Sequence, residues 1–268
     1  VQGFSPFSAN IAGKGVMILM DIKKKVEDIF DIAAQPTIDI VSSMFIEGFT
    51  GTLLPGVTSA MLAYKQKRAE RMLERFMIET KKRVNDLEEK LIKLEPEKYK
   101  EFSEKYFGIV TDYVIDEVQE EKIKYIVNGF INLASIKDIK EDFVLYYYDT
   151  LKSLRIVDIA VLKLYYEPVP RSYIEILQTF GIEYEQYDSI REKLVRMGLL
   201  TTKREKREDD LYTNLLIMQD FLEKVSKGKK ADLKRFKHIE KHDTFIISKF
   251  GRDFMEFFIE SNSEQDNL

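Results

Sequence analysis

The fold of the C-terminal part of the chain is decided by residues 172–204, SYIEILQTFGIEYEQYDSIREKLVRMGLLTTKR. Ser172 and Glu175 have the spacing of a capping box, which predicts that a helix begins there and ends at Gly181. A second helix follows, because apolar residues recur at spacings of 3, 4 and 3 up to Gly198. The stretch therefore predicts two short helices, each closed by a glycine that can take the left-handed conformation of a helix C-terminus.

The segments on either side of this stretch complete one pattern. Upstream, Asp158 predicts the start of a further helix, which Pro168 ends. Downstream, residues 199–204 predict a β-strand and residues 244–248 (TFIIS) predict its partner strand. Residues 249–260 (KFGRDFMEFFIE) predict a closing helix. The pattern is three helices, a strand, a loop, a second strand and a last helix.

This order of elements is that of a winged helix. The pieces REKLVRMGLLTTKR and FIISKFGRDFMEFF also resemble the corresponding stretches of bacterial winged-helix regulators. We therefore predict a winged-helix domain over residues 158–268, with a small β-wing of two to three strands and a helical insertion over residues 205–242. The third helix of such a fold enters the major groove of DNA, and other winged helices bind proteins instead.

Charge is distributed unevenly over this domain. Residues 183–196, which contain the third helix, hold four acids and three bases, for a net charge of −1. Residues 224–241, which we call the basic segment, hold eight Lys or Arg against two acids, for a net charge of +6. That charge suits phosphate groups or anionic lipid, and a solvated loop is the alternative. Contact with duplex DNA or a protein partner is predicted for Gln186, Ser189, Arg191, Lys193, Arg196, Lys229, Lys230, Lys234, Arg235 and Lys237.

The insertion also carries an apolar stripe with heptad spacing over residues 209–227. Its members fall at intervals of 4, 3, 4 and 3, which predicts a helix that needs a partner helix. The partner is either a long helix of the same chain or the same helix in a second copy, and we predict a homodimer. The stripe consists of Leu211, Leu215, Met218, Leu222 and Val225.

An apolar stretch with small residues occupies residues 37–64, where only Asp39 and Glu47 are charged. One interpretation is a helical hairpin buried in protein; the other is a segment that inserts into a membrane, with close-packing small residues and a basic cluster after it. The uncharged run, residues 48–64, is 17 residues long. A membrane span needs about 17–25 residues, so this run is at the lower limit. Because Pro55 also lies inside it, the buried hairpin is favoured.

A long helix is predicted to follow over residues 57–95, because a heptad stripe runs from Leu73 to Leu94 and Pro96 disfavours continuation. Residues 1–96 thus form a first part, an apolar helical hairpin and a long helix. Residues 97–157 form a helical middle domain. The predicted fold class is mainly α.

The middle domain carries a resemblance to a known family. Residues 117–168 read EVQEEKIKYIVNGFINLASIKDIKEDFVLYYYDTLKSLRIVDIAVLKLYYEP. This order, an acidic helix start, a small-residue turn, a helix ending LKSL and then VDIAVLKLYY, resembles the helical region of bacterial abortive-infection proteins of the Abi-alpha type. The resemblance covers about 50 residues made of helix-packing positions and contains no catalytic motif. It implies a phage-defence or mobile-element setting.

Composition excludes most catalytic and metal chemistry. The 268 residues include no Cys and two His, and the formal net charge is −4. Without Cys there is no thiol nucleophile, zinc finger or iron–sulfur cluster. His238 and His242 flank IEK rather than the Glu-first spacing of a zincin, so no metal site is predicted. We predict neither an enzyme nor a cofactor.

The sequence therefore predicts a non-enzymatic recognition protein of the phage-defence type, which binds nucleic acid or a partner protein through its winged helix. The alternative is a membrane-acting abortive-infection effector that inserts residues 37–64. The lack of Cys favours a cytoplasmic location, and the alternative places the protein at the inner membrane.

Overall fold

The computed structural model describes residues 28–29, 39–52, 60–167, 172–228, 230, 232–239 and 244–259. In this part of the chain the fold is mainly helical, with a small two-stranded antiparallel sheet. The chain divides into two compact units: unit 1 is Val1–Ile156 with Glu256–Leu268, and unit 2 is Val157–Met255. Residues on both sides of Pro96 belong to unit 1. The division into three parts stays a prediction.

The helices of unit 1 are α1 (Asp39–Thr52), α2 (Ala60–Lys81), α3 (Val84–Ile92), α4 (Pro96–Glu101), α5 (Phe107–Asp116), α6 (Ile123–Leu133) and α7 (Glu141–Ser153). A π-helical turn joins α4 to α5 over Phe102–Tyr106, and a 3-10 turn precedes α6 over Glu120–Lys122. The elements of unit 2 are α8 (Ile156–Tyr166), α9 (Tyr173–Phe180), α10 (Tyr184–Arg196), β1 (Leu200–Thr202), α11 (Arg204–Ser226), β2 (Phe245–Ile247) and most of α12 (Lys249–Phe258).

An aromatic cluster lies at the centre of unit 1. Phe45, Phe76, Phe107 and Phe130 are all buried and come from α1, α2, α5 and α6. The ring centroid of Phe107 lies 5.0 Å from that of Phe45 and 5.7 Å from that of Phe130. Burial of each such side chain contributes about 1.5–3 kcal/mol to folding. These four helices therefore share one core.

Helix α1 holds the described start of the apolar stretch 37–64. Val41, Met44 and Phe45 on this helix are buried in the core of unit 1. The hairpin is predicted to break near Gly51 to Pro55; α1 continues to Thr52, and residues 53–59 lie outside the described residues. Among the helices that the structure describes, none is both long enough and apolar enough to cross a membrane.

The prediction of one long helix over residues 57–95 is wrong, because α2 ends at Lys81 and α3 begins at Val84. Buried Thr80 donates a hydrogen bond from Oγ1 to the carbonyl of Phe76 at 2.8 Å, a contact that bends helices. Arg83 leaves the helical conformation, with φ −125° and ψ 22°. Its guanidinium donates to Asn128 Oδ1 at 2.6 Å, so a tertiary contact holds the break in place.

Tyr148 makes folding sensitive to alkaline pH. Its side chain is fully buried, and this burial, with the nearby Tyr113, raises its pKa well above the usual value of about 10. Above that pH the phenol ionises in the unfolded chain but stays neutral in the folded one. The free energy of unfolding should therefore fall as pH rises beyond about 10.

We expect Tyr148→Phe to make this alkaline fall less steep. At neutral pH the same change costs about 1 kcal/mol, because the hydrogen bond from Oη to the Ile126 carbonyl (3.2 Å) is lost. Urea unfolding between pH 8 and 11 measures both effects. Tyr146→Phe, at an exposed position of the same helix, is the control that should keep the wild-type slope. Equal slopes for the two variants would contradict the assignment.

The two helices predicted in residues 172–204 form. The strand is shorter than predicted, because β1 ends at Thr202 and Arg204 already belongs to α11. The predicted capping box does not form as such, because the amide of Glu175 bonds the carbonyl of Ser172 rather than its Oγ. Ser172 caps α9, and its Oγ accepts a hydrogen bond from the amide of Ile174 at 3.3 Å. Gly181 and Gly198 have φ of 61° and 74°, the left-handed conformation expected after α9 and α10. The predicted strands and the predicted insertion helix form as β1, β2 and α11.

Strands β1 and β2 pair antiparallel, with Leu200 opposite Ile247. The chain then turns at Ser248, whose Oγ accepts a hydrogen bond from the amide of Gly251 at 2.8 Å and so caps α12. Gly251 passes so close to β1 that an added Cβ would lie 2.1 Å from the carbonyl oxygen of Leu199. Only glycine fits there, so this contact joins the hairpin to the start of α12.

Candidate functional site

The predicted binding residues fall on two elements of unit 2. Gln186, Ser189, Arg191, Lys193 and Arg196 lie on α10. Lys230, Lys234, Arg235 and Lys237 lie on the basic segment, and Lys229 lies outside the described residues. The contacts of each side chain decide whether its charge is available to a ligand.

Arg191 is held by its own chain. Its side chain is only 16 % exposed, and it forms an ion pair with Asp188. The guanidinium carbon lies 4.4 Å from the ring centroid of Phe245 and 4.9 Å from that of Tyr187, both cation–π distances. Burial lowers the pKa of Arg191, but hydrogen bonds with Tyr165 and Asp188 outweigh it and raise the pKa above the usual range. The charged Arg191 side chain therefore packs α10 against the hairpin of β1 and β2.

Lys193 is also paired within unit 2. Its Nζ lies 2.5 Å from Oδ2 of Asp158 on α8. The Asp158 side chain is only 4 % exposed, so removal of the lysine would leave a buried carboxylate without this partner. The pair joins α8 to α10. It engages the ammonium group of Lys193, which was predicted to contact a ligand.

The other three candidates on α10 are exposed, but they carry little free positive charge. Gln186 Oε1 accepts a hydrogen bond from the amide of Glu183 at 2.9 Å and so caps the helix. Arg196 forms an exposed ion pair with Glu192 at 3.7 Å. Ser189 is exposed. With Glu185 also exposed, this face of α10 is a poor surface for phosphate groups.

The basic segment is attached to α11 through Lys237. The amide of Lys237 donates to Asn214 Oδ1 at 2.7 Å, and its carbonyl accepts from Asn214 Nδ2 at 2.9 Å. Its Nζ lies 2.7 Å from Oδ1 of Asp210. One asparagine and one aspartate on α11 therefore fix the segment alongside the helix.

The remaining described cations of the candidate set point into solvent. Lys230, Lys234 and Arg235 are all exposed on the basic segment. Lys234 lies near enough to Asp220 to help lower the pKa of that carboxyl, although the main cause is the hydrogen bond from Lys224. These three accessible cations lie within six residues, against the one exposed acid Asp232, and form a positive surface that can meet phosphate groups.

A group of tyrosines around Arg191 was not foreseen. Tyr173, Tyr184 and Tyr187 have ring centroids 5.5–6.1 Å apart, and Tyr187 Oη lies 3.3 Å from Tyr165 Oη. Burial, then the hydrogen bond with Tyr165, raises the pKa of Tyr187. Tyr187 and Arg191 stand four residues apart on one helix face, a spacing that could have indicated the stack. The group joins α8, α9 and α10.

Unit 2 also exposes an apolar surface. Both α11 and the basic segment present large hydrophobic side chains to solvent, each 44–64 % exposed: Leu211, Tyr212, Leu215, Leu216, Met218, Leu222, Val225, Leu233 and Phe236. All five members of the predicted heptad stripe are among them. We call the exposed side of α11 that carries this stripe the α11 face. Exposed apolar surfaces of this kind are typical of binding sites for proteins.

In the described part of the chain, no three His, Cys, Asp or Glu side chains lie close enough together to hold a metal ion. His238 is exposed, and His242 lies outside the described residues. Comparison with models of known families, with curated proteins and with solved structures gave no match to this chain.

Proposed function

We propose that the chain is a non-enzymatic recognition protein whose unit 2 is a winged-helix module that binds nucleic acid through the basic segment. The observation that carries this proposal is the exposure of Lys230, Lys234 and Arg235 on one segment. Neutralisation of phosphates by such cations releases counterions and drives association. The phage-defence setting follows from the resemblance of residues 117–168 and is part of the proposal.

The order of elements in unit 2 supports a winged helix. Helices α8, α9 and α10 come first, β1 and β2 pair as a hairpin, and α12 follows. Helix α11 replaces the short loop that would otherwise join the strands. The basic segment leads from α11 to β2, so it occupies the place of a wing.

The contacts of α10 determine what kind of binding we propose. Arg191 and Lys193 are engaged with Asp188 and Asp158. Among the exposed positions nearby, the one base, Arg196, is paired with Glu192, and the others are acidic or neutral. Base reading in the major groove needs free side chains on the inserted helix. We therefore propose that the basic segment contacts the phosphate backbone and that binding depends on charge far more than on base sequence.

We expect the triple variant Lys230→Gln, Lys234→Gln and Arg235→Gln to bind duplex DNA about 10- to 100-fold more weakly at low salt. The slope of log K against log salt should become shallower by about 1 for each cation removed. Fluorescence anisotropy with a labelled duplex of mixed sequence, titrated at several salt concentrations, measures both quantities.

The matched control neutralises three exposed lysines of unit 1, Lys81, Lys93 and Lys100, and should leave affinity and slope nearly unchanged. Absence of duplex binding by the wild type at low salt would overturn the nucleic-acid proposal. A protein ligand for unit 2 would then be the remaining form of the recognition proposal.

The membrane-acting alternative predicts that the protein sediments with anionic liposomes and that Gly56→Glu abolishes this. Val41, Met44 and Phe45 lie in the core of unit 1, although Tyr64, at the end of the stretch 37–64, is exposed. The observations favour recognition through unit 2.

A further inference from the structure

The middle of the basic segment, residues 232–239, has little regular structure to hold it in place. These residues form no helix, strand or turn. Within the described part of the chain, their main-chain groups form no hydrogen bond with another main-chain group. Leu233 and Phe236 are exposed, and Ile239 is half-buried, so burial of apolar side chains contributes little. Contacts with side chains of α11 therefore decide how this stretch is held.

Asn214 holds the main chain of this stretch with both ends of its side-chain amide. Its Oδ1 accepts a hydrogen bond from the amide of Lys237 at 2.7 Å, and its Nδ2 donates to the carbonyl of the same residue at 2.9 Å. Two bonds to one residue fix the direction of the main chain as well as its position. The ion pair from Lys237 Nζ to Asp210 holds only the end of a flexible side chain. Asn214 is therefore the contact that orders the backbone.

The position of this contact determines the path of the basic segment. Helix α11 ends at Ser226, and Asn214 lies 12 positions earlier, roughly 18 Å back along the helix axis. Between these two points, Lys234 lies near enough to Asp220 to help lower the pKa of that carboxyl. The chain after Ser226 therefore runs back along α11 until it reaches Asn214. Its exposed cations are spread along the helix as a result.

We propose that Asn214 is a positioning residue for nucleic-acid binding, because its two hydrogen bonds hold the basic segment in the conformation that meets the phosphate backbone. A segment that is ordered before binding loses less conformational freedom when it binds. It therefore binds more tightly than the same cations on a flexible loop. Asn214 carries no charge and acts through the cations that it places. This role rests on the proposed function, since it presupposes that the basic segment binds phosphate groups.

Asn214→Ala tests this role without a change of charge. Its affinity for the labelled duplex of mixed sequence should fall about 3- to 10-fold at fixed salt. The slope of log K against log salt should stay at the wild-type value, because the same cations release the same counterions. The triple variant of the basic segment, in contrast, should lose slope as well as affinity. Alanine favours a helix more than asparagine does, so α11 should persist, which circular dichroism checks.

Hydrogen exchange measures the anchor independently of any nucleic acid. In Asn214→Ala the amide of Lys237 should exchange at least about 5-fold faster than in the wild type, because its acceptor is gone. The amides of β1 and β2 should keep their wild-type exchange rates, which separates release of the segment from unfolding of unit 2. The control is Gln219→Ala, which removes an exposed amide of the same helix and should leave exchange, affinity and slope unchanged.

The two measurements distinguish failure of this role from failure of the proposed function. Faster exchange of the Lys237 amide with wild-type affinity in Asn214→Ala would show that the anchor exists but does not position the binding groups, which overturns the role. Unchanged exchange would overturn it as well, because the anchor would be absent. A wild type that binds no duplex at low salt would overturn the proposed function itself, whatever the exchange rates show about the anchor.

Discussion

Gly251→Ala is expected to destabilise unit 2 by more than about 3 kcal/mol, the largest effect that we predict for one methyl group. The new Cβ would lie 2.1 Å from the carbonyl oxygen of Leu199 and 2.9 Å from Cγ1 of Ile247. That oxygen cannot move freely, because it accepts a hydrogen bond from the amide of Ser248 at 3.1 Å. The hairpin and the start of α12 must separate to admit the methyl group.

Hydrogen exchange of the β1 and β2 amides measures this loss, since a chain with two units need not unfold in one transition. The matched control is Gly108→Ala in α5, where an added Cβ meets no described atom within 4 Å. That change should stabilise the protein by about 0.4–1 kcal/mol, because alanine restricts the unfolded chain. Unchanged exchange in Gly251→Ala would show that the close approach to Leu199 is absent.

Glu117→Leu is expected to destabilise unit 1 by about 3–5 kcal/mol. Lys122 is only 2 % exposed at its side chain, and its Nζ lies 2.6 Å from Glu117 Oε2. The other carboxylate oxygen of Glu117 accepts hydrogen bonds from the amides of Val118 and Gln119 at 2.8 and 2.9 Å. Without the carboxylate, the buried ammonium group of Lys122 would lose its ion-pair partner, while its Nζ still donates to the Lys152 carbonyl at 3.3 Å.

The double variant Glu117→Leu with Lys122→Met should recover part of that loss, because it removes both buried charges together. Lys93→Met is the control: it breaks an ion pair of equal length, Lys93 to Glu89 at 2.6 Å, but on the surface, and should change stability little. Urea unfolding measures the set. A double variant less stable than Glu117→Leu would contradict the view that the buried charge of Lys122 causes the loss of stability.

Local rules account for what the sequence could predict about unit 2. The cap at Ser172 and the helix ends at Gly181 and Gly198 each depend on residues a few positions away along the chain. Spacing alone therefore predicts them. The heptad stripe of α11 is likewise local and was found from its period. The attachment of the basic segment by Asn214 was not predictable, because it joins residues 23 positions apart.

Long-range contacts explain where prediction failed or found only part of the picture. The heptad stripe continues across the break after Lys81, so periodicity gave no sign of it; the contact from Arg83 to Asn128 spans 45 positions. From the sequence, Lys193 is a basic residue of the kind that binds anionic ligands. Its partner Asp158 lies 35 positions away, so the sequence does not reveal the ion pair. A basic residue on an exposed helix position can be occupied by its own chain, and only the tertiary structure shows this.

The division of the chain between the two units has a consequence for synthesis. Unit 1 begins the chain, yet Phe258 belongs to it: the ring packs 5.1 Å from Tyr148, and its carbonyl accepts a hydrogen bond from Asn128 Nδ2 at 2.8 Å. Residues 157–255 are translated in between. On the ribosome, unit 2 can therefore be complete while unit 1 still waits for its last aromatic side chains. A nascent chain released at residue 255 would carry a finished unit 2 and a unit 1 without Phe257 and Phe258.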